Sequence, residues 1–444
     1  MALLKGGRNE TFKPSSIGLN TTVRSYNLSA NRKTLARIER REMRKGFIRI
    51  MVVLIILSLL VGVGISCGGE SEPSAKTVKM ASLVTLSGPV AGWGVPLDDG
   101  AKFAVDEINA QGGFKVGNDM YKIDLKSYDD QYSATATATA AAQIVDEGRH
   151  FVFGPLTYDG ERSAMPIFQN GKVLVSGISA GEYLEIAVPQ GYTYYWNCSY
   201  PNWAWLGAMI NANYKLSPNV KTIIQINGDD DFGHSAAVGT RLTTDKLGLQ
   251  LEDVFYTPGT TDFYPILTPV VNKKPDAIFT ALTQGGDMLL VIKQARELGY
   301  KGEIWAGESS WEDMVNIGGL QNIEGGRFLN SDFSSTVWPQ AVRDVADEWK
   351  AKFGTDMQFN SYLGYAVINI YVQAIQKAGS TDPEQVLKVF DDPNWTFSFW
   401  GDTQSKMAGI QTYGARRQTL GYQGLSEIVN GQIQQISVTK MDIP

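Results

Sequence analysis

The sequence predicts an α/β protein of two lobes built on parallel sheets. Three observations lead there. From Thr77 onward, strand-like apolar runs alternate with helix-like stretches, the spacing of βαβ units. The strands are too many for one small sheet. Most of them run into Gly-rich polar loops, the kind that ends a strand beneath a ligand crevice.

The elements follow in order. Strand-like runs are Met80–Leu86, Tyr121–Ser127, Phe151–Phe153, Val173–Ser176, Thr222–Ile226, Ala277–Ala281 and Glu303–Trp305. Between them the spacing predicts helices over Asp98–Ala110, Ala134–Asp146, Ser235–Leu247 and Asp287–Leu298. Asp98 and Asp99 suit the positive end of the first helix. Phe103, Ala104 and Ile108 form its buried stripe, and Gly112-Gly113 stops it. Ser133 is placed to cap the second helix. After Gly325 the pattern turns helical, over Gln340–Phe353, Ser361–Ala378 and Pro383–Phe390, and from about Gly401 it reads as short strands and turns.

Hydrophobic residues make up 43% of the 444 positions, which excludes a disordered chain. The net charge of −6 is uneven. Residues 1–66 hold 12 Lys/Arg and 3 Asp/Glu, leaving 28 basic and 43 acidic residues in 67–444, a net of −15. So acidic a body repels phosphate backbones, and nucleic acid is not an expected partner.

Residues 50–66 are uncharged and almost wholly apolar, preceded by Arg44, Lys45 and Arg49 and followed by Cys67-Gly68-Gly69. A basic start, an apolar run and small residues before a Cys look like a bacterial lipoprotein signal peptide, with Cys67 the lipidated residue. Ser66 fits this pattern; Gly64 stands where Leu is usual. An uncleaved anchor is the alternative. Both place 77–444 outside the cytoplasm, because the basic side stays in. A signal of normal length would begin at Met43, an alternative start to Met1. The expected organisation is therefore 1–66 as extension and signal, and 67–76 as flexible tether.

Several motifs invite chemistry. Gly177-Ile178-Ser179-Ala180-Gly181 follows a strand and matches the nucleophile elbow of a serine hydrolase. That fold needs a late His, and none follows His234. Asp229-Asp230-Asp231 lacks the spacing of a Ca²⁺ loop and reads as a turn capping a helix. His150 and His234 have no metal-ligand neighbours, so no metal or cofactor is expected. Cys198 reads as a small buried residue, and the run from Tyr192 to Trp205 reads as aromatics packed where the chain changes lobes.

Some of these residues carry a resemblance. Ser87-Gly88-Pro89-Val90-Ala91 with Trp93-Gly94, Ala104-x-x-x-Ile108-Asn109-Ala110-x-Gly112-Gly113 and Tyr128-Asp129-Asp130 resemble leucine/isoleucine/valine-type periplasmic binding proteins. So do the loop at Gly154, Asp231-Phe232-Gly233, Ala295-x-x-x-Gly299 and Gly307-Glu308. The resemblance spans about 77–444. It implies a type I periplasmic-binding-protein fold, two Rossmann-like lobes joined by a three-strand hinge. Lobe 1 would be 77–200 with 331–405, and lobe 2 would be 201–330 with 406–444. The chain would cross near 198–203, 328–334 and 400–415.

The resemblance also implies capture of a small polar solute, an amino acid or related carboxylate or amide, for an ABC permease. By the same route the ligand contacts are Trp93, Tyr158, Ser179, Gly181, Phe232, Thr283 and Glu308. Trp93 replaces the usual Tyr, Tyr158 a Ser and Gly181 a Thr, which removes hydroxyl donors for a ligand carboxylate. Glu308 matches the carboxylate that pairs with a ligand ammonium. The alternatives are a ligand-sensing receptor domain of the same fold and a secreted serine hydrolase.

Overall fold

The computed structural model describes residues 75–88, 91–178, 190–199, 202–280, 286–309, 311–407, 417–419 and 421–440. The chain divides into two units, Met1–Glu72 and Pro73–Pro444. The apolar segment 50–66, Met43 and Cys67 lie outside the described residues. Every helix and strand named belongs to the second unit.

Its first half begins with β1 (Lys76–Val84), α1 (Ala91–Ala110), β2 (Phe114–Val116), β3 (Asp119–Asp129) and α2 (Ala134–Asp146). It continues with β4 (Phe151–Phe153), α3 (Tyr158–Asn170), β5 (Leu174–Gly177) and β6 (Tyr195–Asn197). These strands form one sheet in the order β2-β3-β1-β4-β5-β6. All its pairs are parallel except β2 with β3. The register sets Met80 beside Leu125 on one side and Phe151 on the other.

A parallel sheet with helices on both faces must bury both, and the strand period of two divides the residues between two cores. Met80, Val84, Phe151, Phe153, Leu174 and Trp196 face one core. Ala81, Leu83, Val152, Val175 and Tyr195, from the same strands, face the other, under α2 and α3.

The second half holds α4 (Asn202–Leu216), β7 (Thr222–Gly228), α5 (Asp231–Leu247), β8 (Gln250–Tyr256), α6 (Tyr264–Asn272) and β9 (Ala277–Thr280). It continues with α7 (Asp287–Glu297), β10 (Glu303–Ala306) and β11 (Arg327–Leu329). The sheet runs β11-β10-β9-β7-β8, and two C-terminal strands, Tyr422–Val429 and then Gln432–Lys440, extend it beyond β11. The same alternation recurs. Ile224, Ile226, Ile278 and Ile304 pack with α6 and α7, whereas Ile223, Phe279 and Trp305 pack with α4 and α5.

The chain then returns to the first core through α8 (Gln340–Phe353), α9 (Phe359–Ala378), α10 (Pro383–Phe390) and the small pair β12 (Phe397–Phe399) and β13 (Asp402–Ser405). It finishes on the second sheet with the antiparallel hairpin β14 (Tyr422–Val429) and β15 (Gln432–Lys440). The chain thus passes between the halves three times: between β6 and α4, between β11 and α8, and between β13 and β14. At the third passage Gln418 bridges to Asn197 at the end of β6.

Helices α1 and α9 touch backbone to backbone. A Cβ on Gly100 would lie 1.8 Å from the Ser361 carbonyl oxygen, and one on Gly364 would lie 1.9 Å from that of Leu97. Tyr371 on α9 sets its hydroxyl 2.7 Å from the Val152 carbonyl oxygen and 2.9 Å from that of Leu174, fixing the helix to the sheet.

Several expectations are corrected. The first helix begins at Ala91 rather than Asp98, so Trp93 and Gly94 lie within it. Gly94 reads as a loop residue, yet it serves a close approach, since a Cβ there would meet the Thr85 carbonyl oxygen at 2.0 Å. Asp98 is consequently an interior, buried residue, accepting from Ser127 Oγ at 2.7 Å and pairing with Lys102 at 2.6 Å. Helices α3 and α6 were hidden by Pro166 and by Pro265 and Pro269. The terminal strands are longer than short strands and turns imply. Ser133 does cap α2. Asp230 caps α5 through the Gly233 N–H at 2.8 Å, as the turn reading implied.

Candidate ligand-binding site

Of the expected residues, Trp93, Tyr158, Phe232 and Glu308 fall in the segments that follow the carboxyl ends of parallel strands. Beyond β1, Thr85 Oγ1 donates to Asp130 Oδ1 at 2.5 Å, the Leu86 N–H to Asp129 Oδ1 at 2.8 Å, and Ser87 Oγ to Asp129 Oδ2 at 2.6 Å. Partial burial works against the Asp129 carboxylate. The Ser87 hydroxyl and backbone N–H groups outweigh it and hold the carboxyl below its ordinary range. The loops after β1 and β3 are thereby fastened together. Trp93 stands above them on the first turn of α1, 50% exposed.

Tyr158 opens α3, half-buried, next to Thr157, whose hydroxyl caps the helix at 3.0 Å from the Gly160 nitrogen. Beneath lies Glu161, fully buried, accepting from the Tyr195 hydroxyl at 3.0 Å. Both groups press on Gly177 at the end of β5, where a Cβ would meet Tyr195 Oη at 1.6 Å. Ser179, Gly181 and Thr283 lie outside the described residues; of the nucleophile-elbow motif only Gly177 and Ile178 lie within them. Phe232 is the second residue of α5, and its side chain lies outside the description.

Glu308 sits two residues beyond β10 and is half-buried. Among the described residues no Lys, Arg or His pairs with it. Loss of water alone pushes its carboxyl up to about 7. Such a group is uncomfortable as an anion and gains from a cation brought to it.

The sequence reading missed Tyr132. Gln131 and Tyr132 both take left-handed backbone, at φ 51° and 54°. Their N–H groups donate to Asp129 Oδ1 and Asp130 Oδ1, each at 2.9 Å. Strain of this kind in two successive non-glycine residues costs about 1–3 kcal/mol each and collects at ligand clamps. The turn presents a phenol that is 55% exposed. Partial burial pushes that phenol up, and the carboxylates of Asp230, Asp130 and Asp159 add to the shift. Asp230 belongs to the second half, so the loop after β3 comes near the loop after β7. The only sequence signal was the Asp129-Asp130 pair.

The other candidates are ordinary. Burial pushes the Cys198 thiol well up, which removes it as a nucleophile. His234 Nε2 lies 2.9 Å from Asp229 Oδ1 and its ring stacks on Phe255 at 4.4 Å, on the second half. Trp196 stacks on Phe390 at 4.7 Å, so it is core as expected. Among the described residues there is no group of acids, His or Cys placed to hold a metal, and no helix long and apolar enough to cross a membrane.

Two mainly parallel sheets linked by three chain passages, with the loop after β3 near the loop after β7, have the architecture of a cleft-type binding protein. The profile of the periplasmic binding proteins matches residues 77–413, and the chain belongs to that family. A Leu/Ile/Val-binding protein homolog 3 from Brucella melitensis is 27% identical over 325 residues, 71% of this chain and 83% of the relative. The branched-chain amino acid transporter substrate-binding protein LivJ of Streptococcus pneumoniae, solved with isoleucine, is similar with a TM-score of 0.67 at 22% identity. That match covers 82% of this chain and 100% of LivJ. A solute-binding protein of an ABC transporter from R. palustris, solved with benzoate, gives a TM-score of 0.64 at 14% identity, covering 83% and 97%.

Proposed function

We propose that this chain is an extracytoplasmic solute-binding lipoprotein that captures a small polar solute, an amino acid or a related carboxylate or amide, and delivers it to an ABC permease. Glu308 carries the reading: a half-buried carboxylate at a strand end, without a basic partner among the described residues, suits a ligand ammonium. Trp93 and Tyr158 would flank the ligand from the first half. Ser179, Gly181, Phe232 and Thr283 complete the proposed contacts. The lobes would divide as 77–200 with 331–405 and 201–330 with 406–444.

Capture needs no bond chemistry. A solute seated on one half gains contacts with the other only on closure, so it shifts the open–closed equilibrium by that difference in affinity. The closed form is what a permease would recognise. Lipidated Cys67 would keep the body at the membrane on the 67–76 tether.

Thermal unfolding of the purified chain against a panel of amino acids and amides tests the reading. One solute class should raise the midpoint, and Glu308→Gln should abolish that rise. A flat response across the panel counts against capture of such solutes. For the anchor, Cys67→Ser should leave the protein without lipid label and free of the membrane fraction.

A further inference from the structure

We propose that the cleft selects an organic cation, an amine whose carboxylate is absent or masked as an amide, over the corresponding zwitterionic amino acid. This rests on the capture of a small solute proposed for the same cleft, and narrows it.

Among the described residues, the charge beyond the carboxyl ends of the strands is one-sided. Asp130 follows β3, Asp230 follows β7, Asp287 opens α7 after β9, and Glu308 follows β10. None of the four has a Lys, Arg or His partner among the described residues. Two basic groups near these ends are already engaged: Arg162 with Asp159 at 3.6 Å and His234 with Asp229 at 2.9 Å. Helix starts favour acids, which accounts for Asp159, Asp230 and Asp287. It does not account for Asp130 or Glu308, which cap no helix. Asp130 is fully buried. Its Oδ1 accepts from Thr85 and from the Tyr132 N–H, and its Oδ2 has no partner. A buried carboxylate oxygen left open carries a penalty that a cationic donor removes.

The same acids narrow the room for a ligand carboxylate, although α1 and α2 open without an acid in their first turns. Helix N-termini are the usual anion sites in such clefts. Here α3 opens with Asp159 and Glu161, α5 is capped by Asp230, and α7 opens with Asp287. Those positive ends already face carboxylates of the chain itself. Trp93 and Tyr132, each about half exposed, offer ring faces to a cation at the same edge. Acids on both walls also concentrate cations in the gap before any contact is made.

The test uses matched probes on the full chain in detergent: L-leucine, L-leucinamide and 4-methylpentanoate, with the phenylalanine, phenylalaninamide and 3-phenylpropanoate set beside them. Calorimetric titration should rank amide-masked amine above zwitterion by about tenfold or more, a difference of 1.4 kcal/mol, with the bare carboxylate silent. Glu308→Gln should flatten that ranking. Asp230→Ser, which keeps a capping hydroxyl for α5, should weaken the amine alone. A zwitterion that binds as tightly as its amide or tighter overturns the inference and leaves capture standing. No heat from any probe overturns both. Calcium chloride that displaces leucinamide makes the edge a metal site and also overturns the inference, as does a Glu308→Gln protein that folds normally and keeps the ranking.

Discussion

Glu308 gives the site a pH signature. In the free protein its carboxyl titrates near 7, against 4.5 for an ordinary Glu, so between those values the folded state holds more protons than the unfolded one. Stability must then fall as pH rises through that window, and Glu308→Gln should remove the fall. After allowance for partial solvent screening, the difference amounts to about 2 kcal/mol. Glu107 titrates in the same range, because burial and the neighbouring Glu348 push its carboxyl up to about 7. The comparison is therefore between wild type and Glu308→Gln in urea melts at pH 5 and pH 8, which leaves Glu107 common to both. Equal slopes in the two proteins would remove Glu308 as the source. At this scale Glu308 stood out through the resemblance, which the Gly307-Glu308 pair after a strand helps to carry. The sequence could not reveal Tyr132, because left-handed backbone at Gln131 and Tyr132 is imposed by Asp129 and Asp130 from within the fold.

At the scale of elements, strand positions were legible where apolar runs are short and unbroken, as at Phe151–Phe153 and Thr222–Gly228. Helices were legible where the apolar stripe has period 3.6 and clear stops, as over Ala134–Asp146 and Pro383–Phe390. They were lost where Gly and Pro serve packing rather than turns, as at Gly94, Pro96 and Pro166. The α1–α9 contact makes the point measurable. Gly364→Ala would force a methyl group into the Leu97 carbonyl oxygen, so the helices must part. A loss of about 3 kcal/mol or more in denaturant unfolding is expected, at the upper end of overpacking costs. Phe153→Ala, on a fully buried strand residue, should cost a similar amount, about 3–5 kcal/mol, by opening a cavity instead. A Gly364→Ala protein of wild-type stability would show that α1 and α9 yield at little cost.

At the scale of the whole molecule, the division into two halves was legible in the strand count and in the helical change after Gly325. The tracing was implied only by the family resemblance, because no local signal says that α8–α10 return to the first sheet. Their contacts do: Tyr371 reaches Val152 and Leu174, and Phe390 stacks on Trp196. The prediction at this scale concerns truncation. A chain ending at 330 retains every strand of the first sheet yet lacks α9 and α10, so its first core stays exposed. It should bind a hydrophobic dye and lose near-ultraviolet dichroism, whereas two self-sufficient domains would each give a native-like spectrum. Closure is checked by small-angle scattering, where the radius of gyration should fall when a bound solute draws the halves together.

The return of α9 and α10 has a further bearing on how the protein is made. A chain synthesised from its N-terminus displays β1, β4 and β5 long before the ribosome reaches Tyr371 and Phe390, which bury them. Contacts so distant along the polypeptide delay folding. The nascent first half therefore remains threadable throughout most of translation, the condition a secretion channel imposes on its passengers, and its exposed β segments are what a holding chaperone would grip.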